Sequence, residues 1–160
     1  MEPIIRPATE ADAPRLAELR YEFRAPRAPN TESREAFVNR CTEWMRRRLA
    51  NDTWRCWVAL NGDTVVGHVW LQLIEKIPNP IAEAEWHGYI TNMYVREKER
   101  GGVGGALMDA VLAWCRTREI DYVILWPTER SRPLYARKGF AVTATIMARG
   151  FQDPTGASAQ

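Results

Sequence analysis

Cysteine and histidine are scarce in this chain, with three cysteines and two histidines among 160 residues. The cysteines are widely separated in sequence, so they form neither the close pairs of a zinc site nor the even set of a disulfide framework. Two histidines are too few for a typical histidine-rich metal site. The composition therefore predicts a protein without a metal cofactor. These residues are Cys41, Cys56, Cys115, His68 and His87.

An excess of charge of either sign is also missing. The 22 basic and 20 acidic residues leave a formal net charge of +2, which is too small for a protein that binds nucleic acid through its overall charge. No apolar run approaches the length of a membrane-spanning helix, and none near residue 1 is typical of a signal peptide. We therefore expect a cytoplasmic protein whose partners include neither nucleic acid nor a membrane.

Hydrophobic residues make up 46% of the chain, which is enough for a substantial core. The length suits one domain, and neither an internal repeat nor a long linker divides it. We predict a single domain over residues 1–152 and a flexible polar tail over residues 153–160.

The pattern of apolar residues predicts strands and helices in the order β-α-α-β-β-β-α-β-α-β. Asn61-Gly62 separates two β-rich segments and predicts a hairpin. A helix is predicted from Val103, and the largely apolar stretch 121–126 predicts a strand covered on both faces. One or two further strands are predicted within residues 140–151. The order indicates an α/β (α+β) domain with a mixed, mostly antiparallel sheet and one helical crossover.

Four glycines lie between a predicted strand and a predicted helix. A helix N-terminus carries N–H groups without internal partners and the positive end of the helix dipole, a combination that binds phosphate. Glycine lets the main chain approach a ligand closely and adopt turns closed to other residues. The segment predicts a phosphate or diphosphate ligand, and a simple tight turn is the alternative. The glycines are Gly101, Gly102, Gly104 and Gly105, with Lys98 and Arg100 beside them.

Two common nucleotide-binding motifs do not fit this segment. The P-loop pattern G-x-x-x-x-G-K-[ST] is absent. The dinucleotide pattern G-x-G-x-x-G fails because Leu107 stands at its last glycine. Over half of the chain also precedes the glycines, whereas a dinucleotide site usually opens its domain.

Three segments together resemble the GNAT superfamily of N-acetyltransferases. "YITNMYV" followed by "GVGGALM" is similar to the family's G-[IV]-G-x-x-L turn. "PTERSRPLYARKGF" resembles its L-Y-x-x-x-G-F ending, and "IIRPATEAD" is a common opening of the family. With the glycines in register, Glu99 stands at the arginine position of the family's R-x-x-G-x-[GA] turn and Arg100 comes one residue late. With Arg100 in register, Val103 stands at the first glycine position. Thr128 and Ser131 stand where asparagine and alanine are frequent.

The resemblance implies a fold in which two splayed strands hold the cosubstrate acetyl-CoA, with its diphosphate on the glycine turn. It also implies that main-chain groups of Met93 and Val95 pair with the pantetheine arm, and that an N–H group near Met93 or Tyr94 stabilises the oxyanion. A homodimer is compatible with it. The cofactor-binding residues expected on this basis are Met93, Tyr94, Val95, Arg100, Gly101, Gly102, Val103, Gly104, Gly105, Ala106, Thr128, Ser131 and Tyr135.

The activity implied by the resemblance is acyl transfer from a thioester to the primary amine of a small molecule or peptide. Only the free amine attacks, and an amine with a pKa of about 10.4 is free in roughly one molecule in 2,500 at pH 7. A base is therefore needed, and the candidates near the start of the strand that meets the cofactor are Glu85, His87 and Glu83. Tyr135 is expected to donate to the leaving thiolate, a packed aromatic side chain being the alternative.

Two other functions stay open at the level of sequence: a non-catalytic acyl-CoA-binding sensor or interaction module of the same fold, and a purely structural α/β domain. The acceptor is open as well, since polyamines, aminoglycosides, amino acids and protein N-termini all fit. Five aromatic residues could form a cleft for the acceptor, and three glutamates could attract a cationic acceptor. The same aromatic residues equally fit the packing of the sheet, and the same glutamates equally fit its solvent-exposed edge. They are Trp54, Trp57, Trp70, Trp86, Tyr89, Glu75, Glu83 and Glu85.

Overall fold

The computed structural model describes residues 3–143 and 145–149 of the chain. In these ranges five strands form one sheet in the order β1-β2-β3-β4-β5. Strands β1 to β4 are antiparallel neighbours, whereas β5 runs parallel to β4. The strands are β1 (Ile4–Pro7), β2 (Trp54–Asn61), β3 (Thr64–Glu75), β4 (Trp86–Val95) and β5 (Val123–Ile124).

The described residues also form four α-helices. Helices α1 and α2 follow β1, α3 connects β4 to β5, and α4 follows β5. The predicted mixed, mostly antiparallel sheet flanked by helices is therefore confirmed. The helices are α1 (Ala13–Arg24), α2 (Arg34–Leu49), α3 (Val103–Thr117) and α4 (Arg132–Arg137).

Two hydrophobic cores lie on opposite faces of the sheet. The alternation of side chains along β2 places Trp57 and Ala59 in the core beneath α3, and Cys56 and Val58 in the core beneath α1 and α2. The central strand β3 is buried on both faces from residue 65 to residue 71. The sheet thus lies between two layers of helices.

The carboxyl-terminal part differs from the prediction. Strand β5 comprises two residues rather than the predicted range 121–126. Residues 140–143 and 145–149 form no strand, so the predicted final strand is wrong for these residues. A two-residue β5 offers few main-chain groups to a further strand, and Val142 and Met147 are 86% and 96% exposed. Residues 150–152 of the predicted domain and the predicted tail lie outside the described residues.

Candidate active site

Strands β4 and β5 pair only over a short stretch. Gly88 pairs with Val123 and Tyr89 with Ile124, after which β5 ends, whereas β4 continues to Val95 along β3. Within the described chain, residues 90–95 of β4 therefore have no strand partner on the side of β5. The result is an opening between the two strands, lined on one wall by unpaired main-chain groups. We call it the β4–β5 opening.

A β-bulge interrupts β4 inside this opening. The register of β3 and β4 shifts between His68 and Trp70, where Asn92 and Met93 of β4 together face one residue of β3. Asn92 has a left-handed φ of 51°, which asparagine tolerates better than most residues. Its Oδ1 atom accepts a hydrogen bond of 2.7 Å from Nη1 of Arg20 on α1. The bulge thus re-aims the main chain and connects it to α1.

The glycine turn connects β4 to α3. Gly101 and Gly102 have φ values of 110° and 99°, in a region that side chains rarely enter. The first hydrogen bond of α3 runs from the N–H of Ala106 to the carbonyl of Gly102 at 3.0 Å. The N–H groups of residues 103–105 therefore precede the helical ladder and are available to a ligand. A Cβ atom added to Gly101 or Gly102 would meet no other described atom within 4 Å, so the turn borders open space.

The first turn of α3 packs where β4 and α4 meet. A Cβ atom added to Gly104 would lie 3.5 Å from Cδ2 of Leu134 and 3.7 Å from Cε of Met93. At the next glycine, an added Cβ would lie 3.8 Å from Nζ of Lys138, which bonds both carboxylate oxygens of Asp109 at 2.6 and 2.7 Å. Open space, free N–H groups and the positive end of the helix dipole together fit a diphosphate at this position.

Basic side chains surround the turn, and two of them share one carboxylate. Nη1 of Arg100 lies 2.9 Å from Oε1 of Glu97, and Nη2 of Arg130 lies 4.0 Å from the same oxygen. A bound phosphate would compete with Glu97 for these guanidinium groups. The sequence analysis missed Arg130 and Lys138 because their positions beside the turn depend on how α4 packs.

Tyr135 of α4 is half-buried against the core beneath α3, and its ring meets Phe140 edge-on with 6.0 Å between centroids. Burial raises the pKa of the Tyr135 hydroxyl above its ordinary value, an effect that Ser131 partly opposes. The hydroxyl is therefore protonated at neutral pH. The N–H of Thr128 donates to Oγ of Ser131 at 2.9 Å. This turn fixes the start of α4 and hence the position of Tyr135.

The structure separates the three base candidates from the bulge. Glu85 is exposed and precedes β4. His87 lies four residues before Thr91, which is about 13 Å along a strand that rises about 3.3 Å per residue. A carboxylate oxygen of Glu83 lies 3.4 Å from Nζ of Lys76. Tyr135 packs against the core beneath α3, while the role of these three residues stays a prediction.

The aromatic residues divide between the core and the opening. Trp57 and Trp70 are 5% and 1% exposed, which agrees with the alternative that they belong to the packing of the sheet. Trp54 packs edge-on against Trp70 with 6.1 Å between ring centroids. Tyr89, where β4 and β5 part, meets Trp126 edge-on at 4.8 Å between centroids. These two rings meet where β4 and β5 part, and Trp126 was missed because only the strand pairing shows that it lies there.

Within residues 3–143 and 145–149, no three His, Cys, Asp or Glu side chains are grouped so that they could hold a metal ion. Over the same ranges, no helix has the length and apolar character needed to cross a membrane.

A family model for the acetyltransferase (GNAT) family matches residues 17–140. No curated protein gives a significant match. Among solved structures, a GCN5-related N-acetyltransferase from Ralstonia eutropha JMP134 is 28% identical to this chain, with a TM-score of 0.74. The alignment covers 93% of this chain and 98% of that protein. A predicted acetyltransferase from Clostridium acetobutylicum, crystallised with acetyl-CoA, is 23% identical and has a TM-score of 0.76. The alignment covers 93% of this chain and 96% of that protein. A transcriptional regulator from Bacillus halodurans C-125 is 17% identical with coverages of 94% and 100% and a TM-score of 0.75.

The family match includes the β4–β5 opening, the glycine turn and Tyr135, and the solved structures share the fold over nearly the whole chain. The resemblance seen in the sequence motifs is therefore confirmed. This chain belongs to the GNAT family of acetyltransferases.

Proposed function

We propose that the protein is an N-acetyltransferase that moves the acetyl group of acetyl-CoA onto a primary amine by direct attack. The observation that carries this proposal is the β4–β5 opening, which leads from the bulge at Asn92 to the glycine turn. A ligand with an extended, amide-containing arm and a diphosphate at one end matches both features. The acetyl-CoA bound by the Clostridium acetobutylicum protein supports the same cosubstrate here.

In this proposal the main chain does most of the cosubstrate binding. The N–H groups of residues 103–105 receive the diphosphate, and Arg100 exchanges Glu97 for a phosphate oxygen. Main-chain groups of Met93 and Val95 pair with the pantetheine arm as an added strand would. Because Gly104 has no side chain, this arm can pass close to α3 without a collision.

The attacking amine has to lose a proton before its lone pair can form the new bond. We keep Glu85 and His87 as base candidates. The length of strand between His87 and Thr91, about 13 Å, is too great for direct contact, so their role would require a chain of water molecules. An α-amino group, with a pKa of about 8, needs less assistance than a lysine-like amine.

The chemical step forms a C–N bond and breaks the C–S bond. As the amine attacks the acetyl carbon, the carbonyl electrons move onto oxygen, where an N–H group near Met93 or Tyr94 stabilises the charge. Sulfur then leaves with the bonding electrons, the nitrogen gives up one proton, and the thiolate gains one.

Tyr135 serves the leaving group in this scheme. Complete proton transfer from a phenol with a pKa near 10 to a thiolate whose acid has a pKa near 8.5 is uphill by about 2 kcal/mol. Burial raises the pKa of Tyr135 further, so the transfer becomes less favourable. We therefore assign Tyr135 a hydrogen bond that strengthens as sulfur gains charge, with the proton supplied in the end by solvent.

The test measures thiol release from acetyl-CoA over a panel of amines, together with acetyl-CoA binding by calorimetry. We expect saturable binding of acetyl-CoA and turnover of at least one amine class. Binding without turnover of any amine would favour the non-catalytic sensor. Absence of binding would overturn the placement of the diphosphate and, with it, the proposed function.

A further inference from the structure

Under the proposed function, an acceptor that approaches the acetyl group from the face of β4 covered by α1 and α2 does not have to pass α3 and α4. Helices α3 and α4 occupy the other face, where Gly104 comes close to Leu134 and Met93. On the α1 face, Tyr94 packs against the core beneath α1 and α2, and Asn92 is hydrogen-bonded to α1. Side chains of α1 above the bulge are therefore placed to meet the acceptor.

Arg20 of α1 brings a positive charge to the bulge. Its Nη1 atom donates to Oδ1 of Asn92 at 2.7 Å, and the side chain is half-buried. A guanidinium has five N–H donors, and this bond uses one of them. No described carboxylate pairs with Arg20, whereas Arg15 and Arg96 both pair with Glu22.

The groups that face Arg20 from the neighbouring elements supply no negative charge at neutral pH. Tyr89 on β4 has no carboxylate, and burial raises the pKa of the Cys41 thiol on α2. Burial lowers the pKa of His68 on β3 to about 3, so its ring is neutral as well. Arg24 is a second cation. A partly desolvated cation without a counter-ion is unfavourable, and an anionic ligand would relieve this cost.

More positive charge lies on the same face around Phe23. The guanidinium carbon of Arg27 is 4.2 Å from the centre of the Phe23 ring, and those of Arg20 and Arg24 are both 5.9 Å from it. The Phe23 ring in turn lies 5.1 Å from the ring of Tyr94 on β4. Three guanidinium groups therefore lie around the Phe23 ring, and such a group of cations favours anions over polycations.

We propose that Arg20 binds the carboxylate of the acceptor, so that the substrates are amines carrying a carboxylate close to the nitrogen. This inference rests on the proposed function and narrows it. The guanidinium of Arg20 is hydrogen-bonded to the side chain of Asn92, the residue before Met93, whose main chain is assigned to the acetyl carbonyl under the proposed function. A carboxylate held by Arg20 would then lie close to the attacking amine, as in an α-amino acid or a short ω-amino acid. Polyamines and aminoglycosides are disfavoured.

The experiment compares acceptors that differ only in the carboxylate. The kcat/KM for acetylation is measured for the common amino acids, for the amides of those that react, and for the corresponding decarboxylated amines, with spermidine as a polycation. A bidentate guanidinium–carboxylate contact gives a preference for acid over amide of about 10- to 100-fold. We expect this preference in the wild-type protein.

Two variants test whether Arg20 causes the preference. In Arg20→Gln the ratio of kcat/KM between acid and amide is expected to fall by about 10- to 100-fold, mainly through KM, while the acetyl-CoA dissociation constant is retained. In Asn92→Gly the new residue tolerates the φ of 51°, but the side-chain oxygen that accepts a hydrogen bond from Arg20 is lost. The acid-to-amide ratio should fall in this variant too, by less than in Arg20→Gln. The control is Arg47→Gln, which removes the same charge from an exposed position of α2 and should leave the ratio unchanged.

The outcomes separate this inference from the proposed function. Turnover of amines without a preference for those that carry a carboxylate overturns the role of Arg20. A preference that survives in Arg20→Gln overturns it as well. Both outcomes leave the acetyltransferase assignment standing. Binding of acetyl-CoA without turnover of any amine overturns both. If Arg20→Gln does not fold, the acid-to-amide ratios of the wild type and of Asn92→Gly still decide the question.

Discussion

Replacing Gly104 by aspartate is expected to separate the stability of α3 from the affinity for acetyl-CoA. Gly104 is the second residue of α3, where a carboxylate interacts favourably with the helix dipole by about 0.3–1 kcal/mol. The added Cβ atom would lie 3.5 Å from Leu134, which is an ordinary van der Waals distance. The free energy of unfolding of the ligand-free variant should therefore equal or exceed that of the wild type.

The same carboxylate would repel the diphosphate. At a separation of about 5 Å, two like unit charges repel by about 0.8 kcal/mol at the dielectric constant of water and by about 3 kcal/mol at an effective value of 20. The dissociation constant for acetyl-CoA should rise by about 4- to 150-fold. Because the repulsion acts near the surface, it should shrink as the Debye length falls from about 10 Å at 0.1 M salt to about 3 Å at 1 M.

Calorimetry on the aspartate variant and two matched controls isolates the charge. Gly104→Ala tests the added Cβ alone, and Gly104→Asn has the size of aspartate without its charge. Two results are diagnostic: acetyl-CoA binds more weakly to Gly104→Asp than to Gly104→Asn at low salt, and this difference disappears at high salt. Equal affinities of the Asp and Asn variants at low salt would show that the diphosphate does not lie at the N-terminus of α3.

Three further outcomes are expected. Tyr135→Phe should lower kcat by about 10-fold or more with an unchanged acetyl-CoA dissociation constant, and equal turnover would remove Tyr135 from the mechanism. The pKa of His68 is lowered from 6.5 to about 3 in the folded protein. Below pH 6.5 the unfolded chain therefore binds a proton at His68 that the folded protein does not, and the free energy of unfolding decreases as the pH is lowered. Relative to His68→Leu, the wild type should lose about 2 kcal/mol of unfolding free energy between pH 7 and pH 5 in denaturant titrations, and parallel pH profiles would contradict this. Gly102→Ala forces a side chain into a φ of 99° and should cost about 1–3 kcal/mol, measured by thermal unfolding; an unchanged melting temperature would argue against a rigid turn.

Features that depend on local chemistry were predictable from the sequence. Asn61-Gly62 predicted the hairpin of β2 and β3, and Gly62 adopts a φ of 57° there. The glycine turn was predictable because the four glycines follow a β-rich segment and precede an apolar helical stripe. Both signals concern a few consecutive residues, whose backbone preferences act before the rest of the chain has packed.

Features that depend on how distant segments pack were not predictable. The bulge at Asn92 leaves no trace in the pattern of β4, because its left-handed φ is held by pairing with β3 and by the bond to Arg20. Arg20 itself lies on an ordinary amphipathic helix, and only the structure shows that it lacks a carboxylate partner among the described residues. Apolar residues recur within residues 140–151, but residues 140–143 and 145–149 form no strand, and the two-residue β5 has few main-chain groups for pairing.

The bulge in β4 also changes the phase of side-chain alternation along the strand. Before it, Tyr89 shares the α1 face with the odd-numbered positions, and after it Tyr94 lies on that same face although its number is even. In a straight strand, Tyr94 would share a face with Ile90 and press into the core beneath α3. Gain or loss of one residue between them would exchange the two faces, so the length of this segment decides which side chains of β4 face α1 and which face α3.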